Sequence, residues 1–161
     1  MAGRFGTAAA GSRTISDPCD IIFCSGAGDG EAWWAAGETW AMFTRELEKQ
    51  TAAAVDPANW SPELKIEQAT AGVAFDKFVP ANKPWIVFKS NIVQWAEAQQ
   101  TLRDYASSLA DLLEKAKGLK IKAPADAPPA KSLGAQLEGL VQLGGIAVAL
   151  WFASKLISKD S

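Results

Sequence analysis

An apolar stripe along residues 84–118 constrains the fold of this chain more than any other sequence feature. Its members recur at alternating steps of four and three, and they are Phe88, Ile92, Trp95, Gln99, Leu102, Ala106, Leu109, Leu113 and Ala116. That spacing keeps them on one side of an α-helix for about four heptads, with Gln99 as the only polar member. Because proline suits the first turn of a helix and glycine its end, we expect a helix from Pro84 to Gly118, about 50 Å long.

A second stripe of the same kind lies within residues 31–55. It runs through Trp33, Ala36, Trp40, Phe43, Leu47, Gln50 and Ala54, and Asp56-Pro57 follows it. Proline disfavours helical geometry in the residue before it, so we expect a helix from Glu31 to Val55. Between the two stripes, Ser61-Pro62 resembles a helix start, but the period of the segment that follows is ambiguous between helix and strand.

These patterns predict a mainly α protein whose helical body covers residues 31–118. Two long helices suggest an antiparallel hairpin or a small bundle. Each stripe forms either the core of the chain itself or a surface that packs against another copy. The residues expected at helix–helix contacts here are Trp40, Phe43, Leu47, Ile92, Trp95, Leu102, Leu109 and Leu113. The chain has seven tryptophans, too many to bury in one thin bundle, so some tryptophan surface is expected to meet a partner or a membrane interface.

Residues 1–30 precede the body and are rich in glycine, alanine, serine and threonine. They lack the apolar run of a secretory signal, so we expect a flexible or extended arm. The arm is either a free tail or a segment that threads across a neighbouring subunit. Within it, residues 20–24 (DIIFC) form a short apolar run that fits one strand or a segment packed on the core.

The amino-acid composition changes after Gly118. Residues 119–132 contain three prolines and several alanines, which predicts an extended, semi-rigid Pro/Ala linker. Residues 133–161 follow as a C-terminal unit. Within it, residues 139–154 carry only Gln142 and Ser154 as clearly polar members. Extended to Ile157 the run has 19 residues, which as a helix span about 28 Å, close to the ~30 Å hydrocarbon core of a bilayer.

We therefore predict a single transmembrane-type helix at the C-terminus, which would make the protein tail-anchored. The residues expected to face lipid are Gly139, Leu140, Val141, Leu143, Ile146, Val148, Leu150, Trp151 and Phe152. Gly145, Ala149 and Ala153 recur every four residues and would let another helix approach closely. The alternatives are a helix buried in a protein assembly and, less in keeping with its even hydrophobicity, a helix lying in the membrane interface.

The composition argues against nucleic-acid binding, metal binding and most kinds of catalysis. The formal net charge is −2, with 16 basic and 18 acidic residues, so no bulk positive field favours nucleic acid. The chain has no histidine, which removes the commonest general base and zinc ligand. Cys19 and Cys24 are too few for a closed zinc site. The glycines of residues 25–30 imitate a phosphate loop, but their spacing is wrong and Asp29 and Glu31 would repel phosphate.

The carboxylates fit the solvated faces of the two helices. Glu46, Glu48, Asp104, Asp111 and Glu114 alternate there with Arg45, Lys49, Arg103 and Lys115.

We expect no catalytic residue, cofactor, metal or small-molecule substrate, and no enzyme activity. The function most consistent with these parts is a membrane-anchored structural or assembly protein of a multi-copy complex, for example a virion or bacterial envelope component. A pore-forming or lysis protein, and a soluble subunit with a buried C-terminal helix, are the alternatives.

Overall fold

The structure is a computed structural model that describes residues 3–11, 13–18 and 27–124. This part of the protein is mainly helical, which confirms the predicted class. It contains three α-helices, namely α1 (Ala27–Ala54), α2 (Pro62–Lys77) and α3 (Lys89–Lys117). Two short antiparallel strands, β1 (Ala9–Ala10) and β2 (Arg13–Thr14), precede them. Single 3-10 turns at Pro57–Asn59 and Pro80–Asn82 flank α2.

The two long helices run parallel, so the antiparallel hairpin is wrong and the small bundle is what forms. Thr44 Oγ1 lies 3.3 Å from the carbonyl oxygen of Leu102, and Thr51 Oγ1 lies 3.5 Å from that of Leu109. Both partners advance by seven residues in the same direction. The physical reason is α2, which carries the chain back along the bundle, so that α3 starts at the same end as α1.

The sequence around α2 explains its bounds. Ser61 caps the helix by accepting a hydrogen bond from the Leu64 amide (3.1 Å), and Pro62 occupies the first turn, as expected. The ambiguous segment after it is therefore helical rather than a strand. Gly37 on α1 permits close packing against the end of α2, because a β-carbon there would overlap the ring of Phe78.

The other helix boundaries shift by a few residues. α1 begins at Ala27 rather than Glu31, and α3 begins at Lys89 rather than Pro84. The residues between Pro84 and Phe88 form a non-helical lead-in, where the Phe88 amide donates to Asn91 Oδ1 at 2.8 Å. α3 ends at Gly118, whose φ of 68° is the left-handed conformation that glycine adopts without strain.

A hydrophobic core lies between the helices and buries most of the described tryptophans. Five of the six described tryptophans are at most 4% exposed, and they are Trp33, Trp34, Trp40, Trp60 and Trp95. Their rings pack edge-on, for example Trp34 against Trp95 with centroids 5.2 Å apart. Trp85 is the exception among the described residues and is 93% exposed.

Several predictions lie outside the described residues. They include the short strand at residues 20–24, both cysteines, most of the Pro/Ala linker and the whole apolar C-terminal segment. Within the described ranges, none of the helices is long and apolar enough to cross a membrane.

Candidate functional site

The structure places the predicted helix–helix contact residues inside the bundle. Each of them is at most 3% exposed: Trp40, Phe43, Leu47, Ile92, Trp95, Leu102, Leu109 and Leu113. The two apolar stripes therefore face each other within one chain along most of their length, while Phe88, the first member of the α3 stripe, is 61% exposed. The predicted lipid-facing residues, together with Gly145, Ala149 and Ala153, lie in residues 125–161, which the structure does not describe.

A polar column on α3 holds the N-terminal arm against the bundle. Gln99, Arg103 and Ser107 recur every four residues and are each at most 5% exposed. Gln99 Nε2 donates to the Ala9 carbonyl oxygen (3.1 Å), and Arg103 Nη1 donates to the Phe5 carbonyl oxygen (2.9 Å). The expectation that Arg103 sits on a solvated face is therefore wrong, because its guanidinium is used to bind the backbone of the arm.

Arg4 joins the arm to the C-terminal end of α3. Its guanidinium donates hydrogen bonds to Glu114 Oε1 (2.7 Å), to Asp111 Oδ1 (3.0 Å) and to the carbonyl oxygen of Ile121 (3.0 Å). Ile121 in turn donates its amide to Glu114 Oε1 (2.7 Å) and is 5% exposed. This cluster holds the segment after α3 against the bundle, where Ala123 also packs on the core and Pro124 is buried.

The hydrogen bonds from Arg4 and from the Ile121 amide lower the pKa of Glu114 to about 2. Since the folded pKa is below the unfolded one, the pair adds stability above about pH 4.5, and this contribution is lost as pH falls toward 2. We expect Arg4→Met to return the Glu114 pKa toward the ordinary value of about 4.3, as read by NMR titration of its carboxylate. We also expect the stability difference from wild type to shrink with acid.

Arg13→Met is the matched control for Arg4→Met, because Arg13 is another arm arginine with the same 30% side-chain exposure, and it pairs with Asp17. The Glu114 pKa should stay low in this control. An unshifted pKa in Arg4→Met would contradict the assigned role of Arg4.

Tyr105 is buried near two glutamates in the bundle interior. Burial first, and then the carboxylates of Glu48 and Glu67, raise the pKa of its phenol above the usual value. The phenol therefore stays protonated at neutral pH. In the described part of the chain, no group of three or more side chains of metal-binding type is placed to hold an ion.

The end of the bundle where α3 begins carries an exposed apolar cluster, which we name the aromatic tip and define as Trp85, Ile86 and Phe88. These side chains are 93%, 44% and 61% exposed. Lys83 and Lys89 flank them, and Lys83 Nζ pairs with Glu31 at 2.8 Å. Single exposed apolar residues are ordinary, whereas contiguous exposed apolar patches are typical of interaction surfaces.

A groove runs between α2 and α3 near the same end. We name it the α2–α3 groove and define it by Ala69, Val73, Ala74 and Ala98, with a volume of about 620 Å³. The alanines leave space between the helices, and Val73 is 65% exposed at the edge. Lys77 and Glu97 also line it. A smaller depression of about 300 Å³ shares Val73 and Lys77 with the groove and reaches Pro84 beside the aromatic tip.

Sequence reasoning selected neither surface. The excess of tryptophan indicated that some indole would stay outside the core, but it did not identify Trp85. The signal was the position of Trp85, which stands three residues before Phe88, the first member of the apolar stripe.

Comparison with protein-family models, with curated proteins and with solved structures found no match for this chain.

Proposed function

We propose that this chain is a non-enzymatic, membrane-anchored structural or assembly protein of a multi-copy complex, such as a virion or bacterial envelope component that links a membrane to a protein shell. The observation that carries this proposal is the apolar run at residues 139–154, which follows a Pro/Ala linker. Such a run is costly to expose to water, and extended to Ile157 it reaches 19 residues, which as a helix gives a short membrane crossing.

The bundle supports the same role as a stable body. The buried members of its apolar stripes pack inside the bundle, and the Arg4 guanidinium donates a hydrogen bond to the carbonyl oxygen of Ile121 at the start of the linker. After Gly118 the described chain, residues 119–124, forms neither helix nor strand. Ala123 packs against the core and Pro124 is buried, so the described start of the linker lies on the body. A linker of this composition suits a tether, because it separates the body from the surface to which the tail is attached.

Membrane fractionation with an alkaline carbonate wash tests the anchor. We expect the intact chain to remain in the membrane pellet and a truncation that ends at Ser132 to be released. Val148→Arg should weaken retention, because an arginine near the centre of a spanning helix costs about 2.5–3.5 kcal/mol.

The matched control is Ser158→Arg, which adds the same charge beyond the apolar run and should leave retention unchanged. If the intact chain washes off as readily as the truncation, the spanning anchor is wrong, and the segment is either buried in protein or lies in the membrane interface. Strong dye leakage from liposomes loaded with the purified chain would favour the pore-forming alternative.

A further inference from the structure

We propose that the aromatic tip is a docking element for a second copy of this chain, and that it inserts into the α2–α3 groove of that copy. The tip is an exposed apolar segment, and the groove is lined by Ala69, Val73, Ala74 and Ala98 together with five polar or charged side chains. The two surfaces therefore complement each other within one sequence. Trp85, Ile86 and Phe88 of the tip and Val73 of the groove lie outside the hydrophobic core of their own chain, whereas Ala74 and Ala98 of the groove belong to it.

The dimensions fit this docking. Pockets that hold drug-sized ligands have volumes of about 300–1,000 Å³, so a groove of about 620 Å³ accommodates an indole together with a neighbouring side chain. One opposite-charge pair is available, because exposed Lys89 stands beside the tip and exposed Glu97 lines the groove, while Lys77 of the groove is hydrogen-bonded to Gln94. A lysine that approaches the Glu97 carboxylate adds orientation to the contact.

The buried area favours a reciprocal arrangement. Aromatic side chains bury about 150–250 Å² each, so one tip in one groove removes roughly 700 Å² from both partners together. That is below the ~1,000 Å² of a specific interface, whereas two reciprocal contacts exceed it. The tip and groove lie near the same end of the bundle, so two copies related by a two-fold axis can exchange tips.

The position of the tip favours a protein occupant over lipid. The tip lies at the start of α3, and the described chain that follows this helix, residues 119–124, begins at its other end. With 29 residues, α3 separates these two points by about 43 Å. A lipid-binding tip would also leave the groove without a function.

The test is self-association of the full chain in mild detergent, measured by sedimentation velocity over a range of concentrations. We expect wild type to dimerise, and Trp85→Ala to weaken dimerisation at least about 30-fold, the effect of losing an aromatic hot spot. Val73→Glu should weaken it to a similar extent. Ile66→Glu is the matched control, since Ile66 lies on the same helix, is 67% exposed against 65% for Val73, and does not line the groove.

Mixing the two weakened variants provides a sharper result. Trp85→Ala keeps a groove and Val73→Glu keeps a tip, so the mixture can form one of the two contacts and should associate more strongly than either variant alone, but more weakly than wild type. Equal effects of Val73→Glu and Ile66→Glu, or a wild-type chain that stays monomeric, would overturn the proposal. So would a Trp85→Ala chain that dimerises normally but loses flotation with anionic lipid vesicles. Self-association in detergent is independent of carbonate resistance, so this proposal and the membrane anchor can fail separately.

Discussion

Replacing Trp40 with alanine is expected to lower the free energy of unfolding by about 3–5 kcal/mol. Trp40 is 1% exposed and packs against Phe43 with ring centroids 5.5 Å apart and against Phe5 at 5.7 Å. The Arg103 guanidinium lies 4.3 Å from the centroid of the indole. Removal of the ring leaves a cavity at a point where α1, α3 and the arm meet, and a rigid helical core closes such a cavity only in part.

The same substitution at Trp85 is the control, because Trp85 is 93% exposed. We expect Trp85→Ala to change the unfolding free energy by no more than about 0.5 kcal/mol. Denaturant unfolding of the full chain, followed by far-UV circular dichroism, measures both values. If both variants lost stability equally, Trp85 would be part of the core and its assignment to an exposed tip would be wrong. This pair also establishes that Trp85→Ala reports on docking rather than on folding.

Heptad spacing predicted the two long helices because the interval between buried residues can be read from neighbouring positions in the sequence. Ile92, Leu102 and Leu109 follow each other at helical intervals, and all three are fully buried. The direction of packing was not predictable in the same way. It depends on whether the segment after Ser61 is helical, and that segment has no clear period. Once it forms a helix, the long helices must run parallel.

The contacts of the arm were missed for a different reason. Gln99 and Arg103 bind carbonyl oxygens of Ala9 and Phe5, which lie 90 and 98 residues earlier in the chain. Every residue has a carbonyl oxygen, so such partners leave no compositional signal. A polar residue within an apolar stripe was the available clue. Gln99, followed by Arg103 and Ser107 at steps of four, marks the side of α3 that holds a backbone segment.

The sequence predicted that some tryptophan would be exposed, but not which one. A surplus of tryptophan implied exposed indole surface, but the identity of the exposed residue depends on where α3 begins. If the helix started at Pro84, Trp85 would occupy its first turn. The helix starts at Lys89 instead, and Trp85 lies on the lead-in segment, where the backbone turns its side chain away from the core.

Phe5→Ala is expected to destabilise the protein by about 3 kcal/mol, which is a large effect for a residue so close to the N-terminus. Phe5 is 9% exposed, and its ring lies 5.7 Å from those of Trp40 and Phe43. Its amide donates to Ser107 Oγ (3.3 Å), while its carbonyl oxygen accepts from Arg103. Loss of the ring removes the apolar anchor that keeps these two buried polar side chains paired with the arm, so the arm should detach.

Phe88→Ala provides the comparison, since Phe88 is 61% exposed and the same atoms are removed. It should change stability by no more than about 0.5 kcal/mol. Amide hydrogen exchange separates local from global effects: in Phe5→Ala the amides of Phe5 and Ala8 should lose protection first, with those of α3 following at a rate set by the lower global stability. If Phe5→Ala costs no more than Phe88→Ala, the arm contributes nothing to the fold. A cost near 3 kcal/mol means that Arg103 and Gln99 depend on the arm for their burial, and that the helices alone are an incomplete body.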